Sequence, residues 1–106
     1  MSVLMMLSMR GDPRKLEEYA AGHPDGMREI IESAKGHGMI AHRFYGSEDG
    51  QIMVIDEWPD AESFLSFFDH VEAEVGEMMG AVGVTGQPEP KFWHELESHD
   101  KYGWDA

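Results

Sequence analysis

Two side chains in this sequence have the types and the spacing to move a proton, His42 and Asp56. They sit in a stretch that reads as two strands joined by a short turn: Met39 to Tyr45, then Gly46-Ser47-Glu48-Asp49-Gly50, then Gln51 to Trp58. With Phe44 opposite Ile52, His42 faces Val54 and Asp56 lies one diagonal away on the same face. A carboxylate in that place holds the imidazole in one tautomer and raises its basicity, which proton abstraction from a phenol or an activated carbon requires. A buried polar pair that satisfies itself, or a contact between subunits, needs the same two residues.

Other titratable groups give weaker signals. His94 alternates with Phe92 and Leu96 and could line the same space, although a lone strand histidine also serves in cores and interfaces. His23 and His37 sit at helix ends, where capping is the expected work. His37 and His42 are five apart across a loop–strand junction, which suits no shared metal, so no metal site is expected. The glycines around Gly83 and Gly86 lack the spacing and the lysine of a phosphate loop, and no serine sits in a nucleophile elbow.

The same strand alternation puts Ile40, His42, Phe44, Ile52, Val54, Asp56 and Trp58 on one face. Met39, Ala41, Arg43, Tyr45, Met53, Ile55 and Glu57 take the other, where Arg43 and Tyr45 orient a ligand or bond across an interface. Trp58, Phe64, Phe67, Phe68 and Tyr19 form an aromatic layer, explained first as core. A pocket for a flat substrate draws on the same residues, with methionines as adaptable walls.

The remaining elements follow in chain order. Val3 to Met9 is an apolar strand, with Val3, Met5 and Leu7 on one face and Leu4, Met6 and Met9 on the other after an irregularity. Asp12-Pro13 opens a helix carrying Leu16, Tyr19 and Ala20, broken at Gly22-His23-Pro24. Asp25 caps its continuation through Met27, Ile30, Ile31 and Ala34, which stops at Gly36-His37-Gly38. Pro59-Asp60 opens another helix, Gly80 to Gln87 forms an irregular loop, and Pro88 to Leu96 is a fourth strand. The fold class is α+β, a ferredoxin-like βαββαβ antiparallel sheet. One domain spans 1–97, and 98–106 is a polar tail.

Composition narrows the partners. The 106 residues suit one domain, and 21 acidic against 8 basic residues give a net charge of −13. That field repels nucleic acid and anionic membranes. There is no cysteine, hence no disulfide and no thiolate metal site. The N-terminal apolar run is too short for a signal peptide or a span, so a cytoplasmic location is expected. Two helices cover one sheet face, and the other is still rich in apolar side chains. At about 1.5–3 kcal/mol for each large one, leaving them in water would forfeit a small domain's net stability. A second copy across a two-fold axis is the simplest cover, which makes the protein a homodimer.

A hairpin running into Asp56-Glu57-Trp58-Pro59-Asp60, then a helix with Glu62-Ser63-Phe64, resembles the dimeric α/β-barrel superfamily. Within it the chain is similar to the antibiotic-biosynthesis-monooxygenase-like proteins, from Val3 to Leu96. The resemblance implies a homodimeric barrel with a pocket between each sheet and its own helices. It also implies cofactor-independent oxidation of a small aromatic or polyketide-like molecule. In that reading His42 is the base and Asp56 orients it, while Trp58, Phe64, Phe67, Phe68, Tyr19 and His94 surround the substrate. Members of another class, non-catalytic small-ligand-binding or stress-response dimers, share the pattern. The haem-degrading branch fits less well. Its Trp and His fall near Phe67 and Glu77, with His70 the nearest helix histidine, and its strand Asn has no counterpart because the chain contains no Asn. The quinone-forming branch uses Asn, Trp and Tyr, of which Trp58 matches in position.

Overall fold

The computed structural model describes residues 1–104; positions 105–106 of the expected tail lie outside the described residues. The elements are β1 (Val3–Arg10), α1 (Pro13–Gly22), α2 (Pro24–Gly36), β2 (Ala41–Gly46), β3 (Gln51–Trp58), α3 (Ala61–Val82) and β4 (Lys91–Trp93). The four strands form one antiparallel sheet in the order β2-β3-β1-β4, the ferredoxin-like topology, with all three helices on one face.

Strand alternation decides the layers. On the helix side β1 buries Val3, Met5, Leu7 and Met9, and β3 buries Ile52, Val54, Asp56 and Trp58. The β1–β3 ladder runs unbroken from Val3↔Trp58 to Arg10↔Gln51, so the irregularity expected in β1 is absent and Met9 belongs to the core. Trp58 is 0% exposed, with Phe64 edge-on to it at 5.6 Å and Phe67 tilted against it at 5.4 Å. Such aromatic contacts add to the area each ring buries.

The hairpin register differs from the expected one by two residues. His42 pairs directly with Asp56 and Phe44 with Val54. The loop is tighter than five residues, because the Ser47 N–H donates to the Gln51 carbonyl at 2.9 Å and Gly50 takes φ 85°. A glycine in the left-handed region lets three residues turn the chain. A two-residue shift keeps every side chain on its face, so both face assignments survive it.

The helices also depart in detail. Asp12 caps α1 by accepting from the Arg14 N–H at 2.9 Å, with Pro13 in the first turn. Asp25 lies inside α2; its N-cap is His23, which has no side-chain cap bond there. Instead the His23 Nδ1–H donates back to the Tyr19 carbonyl at 2.9 Å, and His37 does the same to Ser33 at 2.9 Å, so both rings close helix ends. Asp60 accepts from the Ser63 N–H at 2.7 Å, and this bond holds its carboxyl below the usual carboxylate range. α3 runs to Val82 rather than stopping at Gly80, since the left-handed residue that ends it is Gly83 at φ 81°. Burial of Met78 and Val82, one turn apart, outweighs the propensity cost of Gly80 within the helix.

β4 keeps only three of the nine residues expected. Pro88 and Pro90 have no N–H to give, and Trp93 already pairs with Leu4, beyond which β1 offers little partner strand. His94 and Leu96 therefore lie outside the sheet.

One glycine is fixed by contact. A Cβ on Gly46 would stand 2.7 Å from the Pro13 Cβ and 2.9 Å from its Cγ, inside a rigid ring's radius. Gly46→Ala is expected to destabilise the fold by about 1–3 kcal/mol. Gly76→Ala, in open space on α3, is expected to stabilise it by about 0.5–1 kcal/mol. Urea midpoints of the two variants moving in the same direction would contradict this.

Candidate functional site

A cavity of about 170 Å³ lies between the helix side of the sheet and the three helices. Its floor comes from the sheet, with Met5, Leu7, Val54, Phe44, His42 and Asp56. Its roof comes from α2 (Met27, Ile30, Ile31, Ala34) and α3 (Phe64, Phe67, Phe68, Val75, Met78, Met79). All lining residues are apolar except His42 and Asp56. Phe44, Phe68 and Met79 are half-buried, as is His42, so the space is not sealed by its own walls.

The polar pair is built by strand pairing. Direct opposition of His42 and Asp56 across β2 and β3 brings Nδ1 to 2.6 Å from Asp56 Oδ1. The other carboxylate oxygen, Oδ2, accepts from the Trp58 indole N–H at 3.1 Å, two residues along the same face. Asp56 is 4% exposed, and among the described residues no buried side-chain nitrogen or oxygen lacks a partner. An ionised carboxylate only accepts, so the hydrogen of this bond sits on His42 Nδ1. In the neutral ring the free lone pair is then on Nε2. Phe44 lies edge-on to the imidazole at 4.9 Å and fixes the ring from a third side.

Burying a carboxylate costs several kcal/mol, and an apolar replacement of the same shape is often as stable or more so. Packing alone therefore gives little reason for Asp56 in this layer. What the arrangement supplies is an oriented imidazole with one free nitrogen, beside an apolar space. Its chemical capacity is to accept a proton from a bound molecule, or to hold a hydroxyl.

The structure brings together only part of the expected set. Phe64, Phe67 and Phe68 line the cavity with His42 and Asp56. Trp58 lies behind the wall and reaches the site through its bond to Asp56. Tyr19 stacks on His23 at 4.0 Å and borders a separate depression with His70, on the far side of the helices. His94 is exposed past the end of β4 and lines nothing here. Phe44 and the α2 residues Met27, Ile30 and Ile31 join the site without having been singled out for it. The face shared by Phe44 and His42 and the helical stripe of α2 were the available signals. Among the described residues no group of three or more His, Asp or Glu stands close enough to hold a metal, and no helix is long and apolar enough to cross a membrane.

No protein-family model matches the chain, and no curated protein matches it in sequence. Solved structures do resemble it. A monooxygenase from the gene ActVA-Orf6 of Streptomyces coelicolor, in complex with nanaomycin D, superposes with a TM-score of 0.67 at 19% identity, covering 92% of this chain and 89% of that one. A dimeric ferredoxin-like protein from an uncultured marine organism gives 0.65 at 12% identity, covering 95% and 93%. SnoaB, a cofactor-independent oxygenase from Streptomyces nogalater, gives 0.59 at 12% identity, covering 94% and 98%. At these identities the likeness establishes the fold: the chain has the architecture of these dimeric ferredoxin-like proteins and monooxygenases.

Proposed function

We propose that the cavity is an active site for cofactor-independent oxidation of a small aromatic or polyketide-like molecule, a reading supported by the fold shared with SnoaB, a cofactor-independent oxygenase, and with a monooxygenase that holds nanaomycin D. The observation that carries this reading is a single oriented base in an otherwise apolar chamber. Neutral His42 takes a proton at Nε2, and the Asp56 carboxylate stabilises the imidazolium that results. Loss of that proton leaves the substrate as an electron-rich anion, the form that reacts with dioxygen. Oxidation of a phenol to a quinone by one O2 then balances: the O–H hydrogen and one ring C–H hydrogen leave as water with one oxygen atom, and the other oxygen stays as the new carbonyl. Phe64, Phe67 and Phe68 pack the substrate ring, while Asp56 and Trp58 position the imidazole.

Two such sites belong to a homodimer closed through the other sheet face. Leu4, Tyr45 and Trp93 are 38%, 51% and 49% exposed there, beside half-buried Met6, Met53 and Ile55. The same face carries Arg10, Arg43 and Lys91 against Glu57, so the excess acid of the chain lies elsewhere and does not oppose pairing.

Oxygen uptake by the metal-free protein with small phenols tests the enzymatic reading. We expect uptake that falls by about 10²–10⁴-fold in His42→Gln; an unchanged rate in that variant removes His42 from the chemistry. A non-catalytic ligand-binding dimer is the second reading, favoured by the absence of any Asn in the chain. Tight ligand binding with no oxygen uptake would decide for it.

A further inference from the structure

We infer that the occupant of this cavity is a neutral phenol of one or two rings, bound with its hydroxyl donating to His42 Nε2. This rests on the reading that the cavity is a ligand site, and it adds the size, the charge and the polar handle of the ligand.

Size comes from the volume. The cavity's 170 Å³ slightly exceeds the roughly 150 Å³ of an apolar cavity that holds benzene. It falls well short of the ~300 Å³ at which pockets for drug-sized ligands begin. Thioether side chains from Met5, Met27, Met78 and Met79 in the wall can yield enough for a second ring. A third ring either protrudes past half-buried Phe44, Phe68 and Met79 into water or displaces Phe64 or Phe67, which are packed on Trp58, and it gains no burial either way.

Charge comes from what the wall lacks. No lysine or arginine is among the lining residues, and a positive charge on His42 is already matched by the Asp56 carboxylate bonded to it, so a carboxylate, sulfate or phosphate finds no unpaired cation there. The chain's net charge of −13 repels such an anion before it arrives. The polar handle follows from hydrogen-bond capacity. Asp56 has a donor on each oxygen and His42 Nδ1–H is committed to it, which leaves Nε2 as an acceptor. A ligand that fits this site brings a donor, and a flat ligand among phenylalanines brings it as a phenolic O–H.

Titration calorimetry of the intact protein with naphthol, naphthyl methyl ether, naphthoate and phenanthrol tests all three features. Naphthol should bind about tenfold more tightly than its methyl ether, the worth of one hydrogen bond. It should also bind at least about tenfold more tightly than naphthoate, since an anion must be desolvated without a partner. Phenanthrol should bind no more tightly than naphthol despite its larger apolar area. In His42→Phe the preference for naphthol over the ether should disappear while naphthalene itself still binds, which separates a lost acceptor from a lost fold. Equal affinity for naphthol and ether, a carboxylate as tight as the phenol, or tighter binding of the three-ring phenol would each overturn the inference. Naphthol binding without oxygen uptake leaves it standing and sinks the enzymatic reading instead. Oxygen uptake confined to three-ring substrates does the reverse.

Discussion

Asp56→Asn is expected to lower turnover by about 10³–10⁴-fold in a protein that still folds, because the change reverses which imidazole nitrogen carries the proton. Trp58 Nε1–H can only donate, so the amide oxygen of the substituted side chain must turn toward it in place of Asp56 Oδ2. The amide NH2 then faces His42 Nδ1 across the 2.6 Å contact. Two donors cannot share that space. Nδ1 must give up its hydrogen and accept, which moves the proton to Nε2 and blocks the atom assigned to the substrate. The opposite amide orientation sets NH2 against the indole N–H and leaves a buried donor unpaired, at a cost of about 1–3 kcal/mol. A merely structural Asp56 predicts a change in stability and none in tautomer. The two are separated by the ligand series. In Asp56→Asn the preference for naphthol over its methyl ether should vanish along with turnover. Retention of both would show that Asp56 does not set the state of His42.

Ile55→Glu is expected to raise the dimer dissociation constant by about 10²-fold or more, since a two-fold axis buries two new carboxylates in one closed layer, where pairing with the neighbouring Arg43 offsets only part of their desolvation. Ile55 sits mid-strand on β3, paired with Met6 on one side and Arg43 on the other, on the face with no helix over it. A charge there costs the isolated subunit little. Sedimentation velocity at micromolar concentration should show dimer for the parent protein and monomer for the variant. Indistinguishable profiles would mean that this face is not the interface. An effect confined to thermal stability, with no change in mass, would say the same.

The sheet was legible in the sequence because its strands alternate without interruption. The assignment of Ile52, Val54, Asp56 and Trp58 to one face follows from period two alone, and it holds even though the pairing register was misplaced by two residues. The register itself depended on Gly50 taking the left-handed conformation and on Ser47 pairing with Gln51, a choice that local composition leaves open among neighbouring turn residues. Opposition rather than diagonal placement of His42 and Asp56 is what allows the 2.6 Å bond. The sequence pattern placed them on one face, and the turn brought them into contact.

Strand and helix ends were less legible. β4 reads as nine residues from its alternation, yet its length is set by where β1 begins, a tertiary fact that took His94 out of the site. Tyr19 failed for a related reason. Its helix position marks it as apolar-facing, but His23 four residues later captures its ring at the α1–α2 break. Trp58 was expected against a substrate and is instead the second donor to Asp56, a role that only the geometry of the indole N–H discloses. The cavity has no sequence signal of its own, because the same residue types fill a core when their side chains are a methylene longer or turned otherwise.

The central claim is that Asp56 fixes His42 with Nδ1 protonated and Nε2 open to a ligand in the apolar chamber. The measurement that meets it most directly is the nitrogen-15 spectrum of the His42 imidazole in uniformly labelled protein, recorded with and without naphthol. The account predicts that in the neutral ring Nδ1 carries the proton, that Nε2 is the bare nitrogen, and that naphthol moves the Nε2 resonance most. A proton on Nε2 in the free protein, or a His42 spectrum indifferent to saturating naphthol, would contradict it.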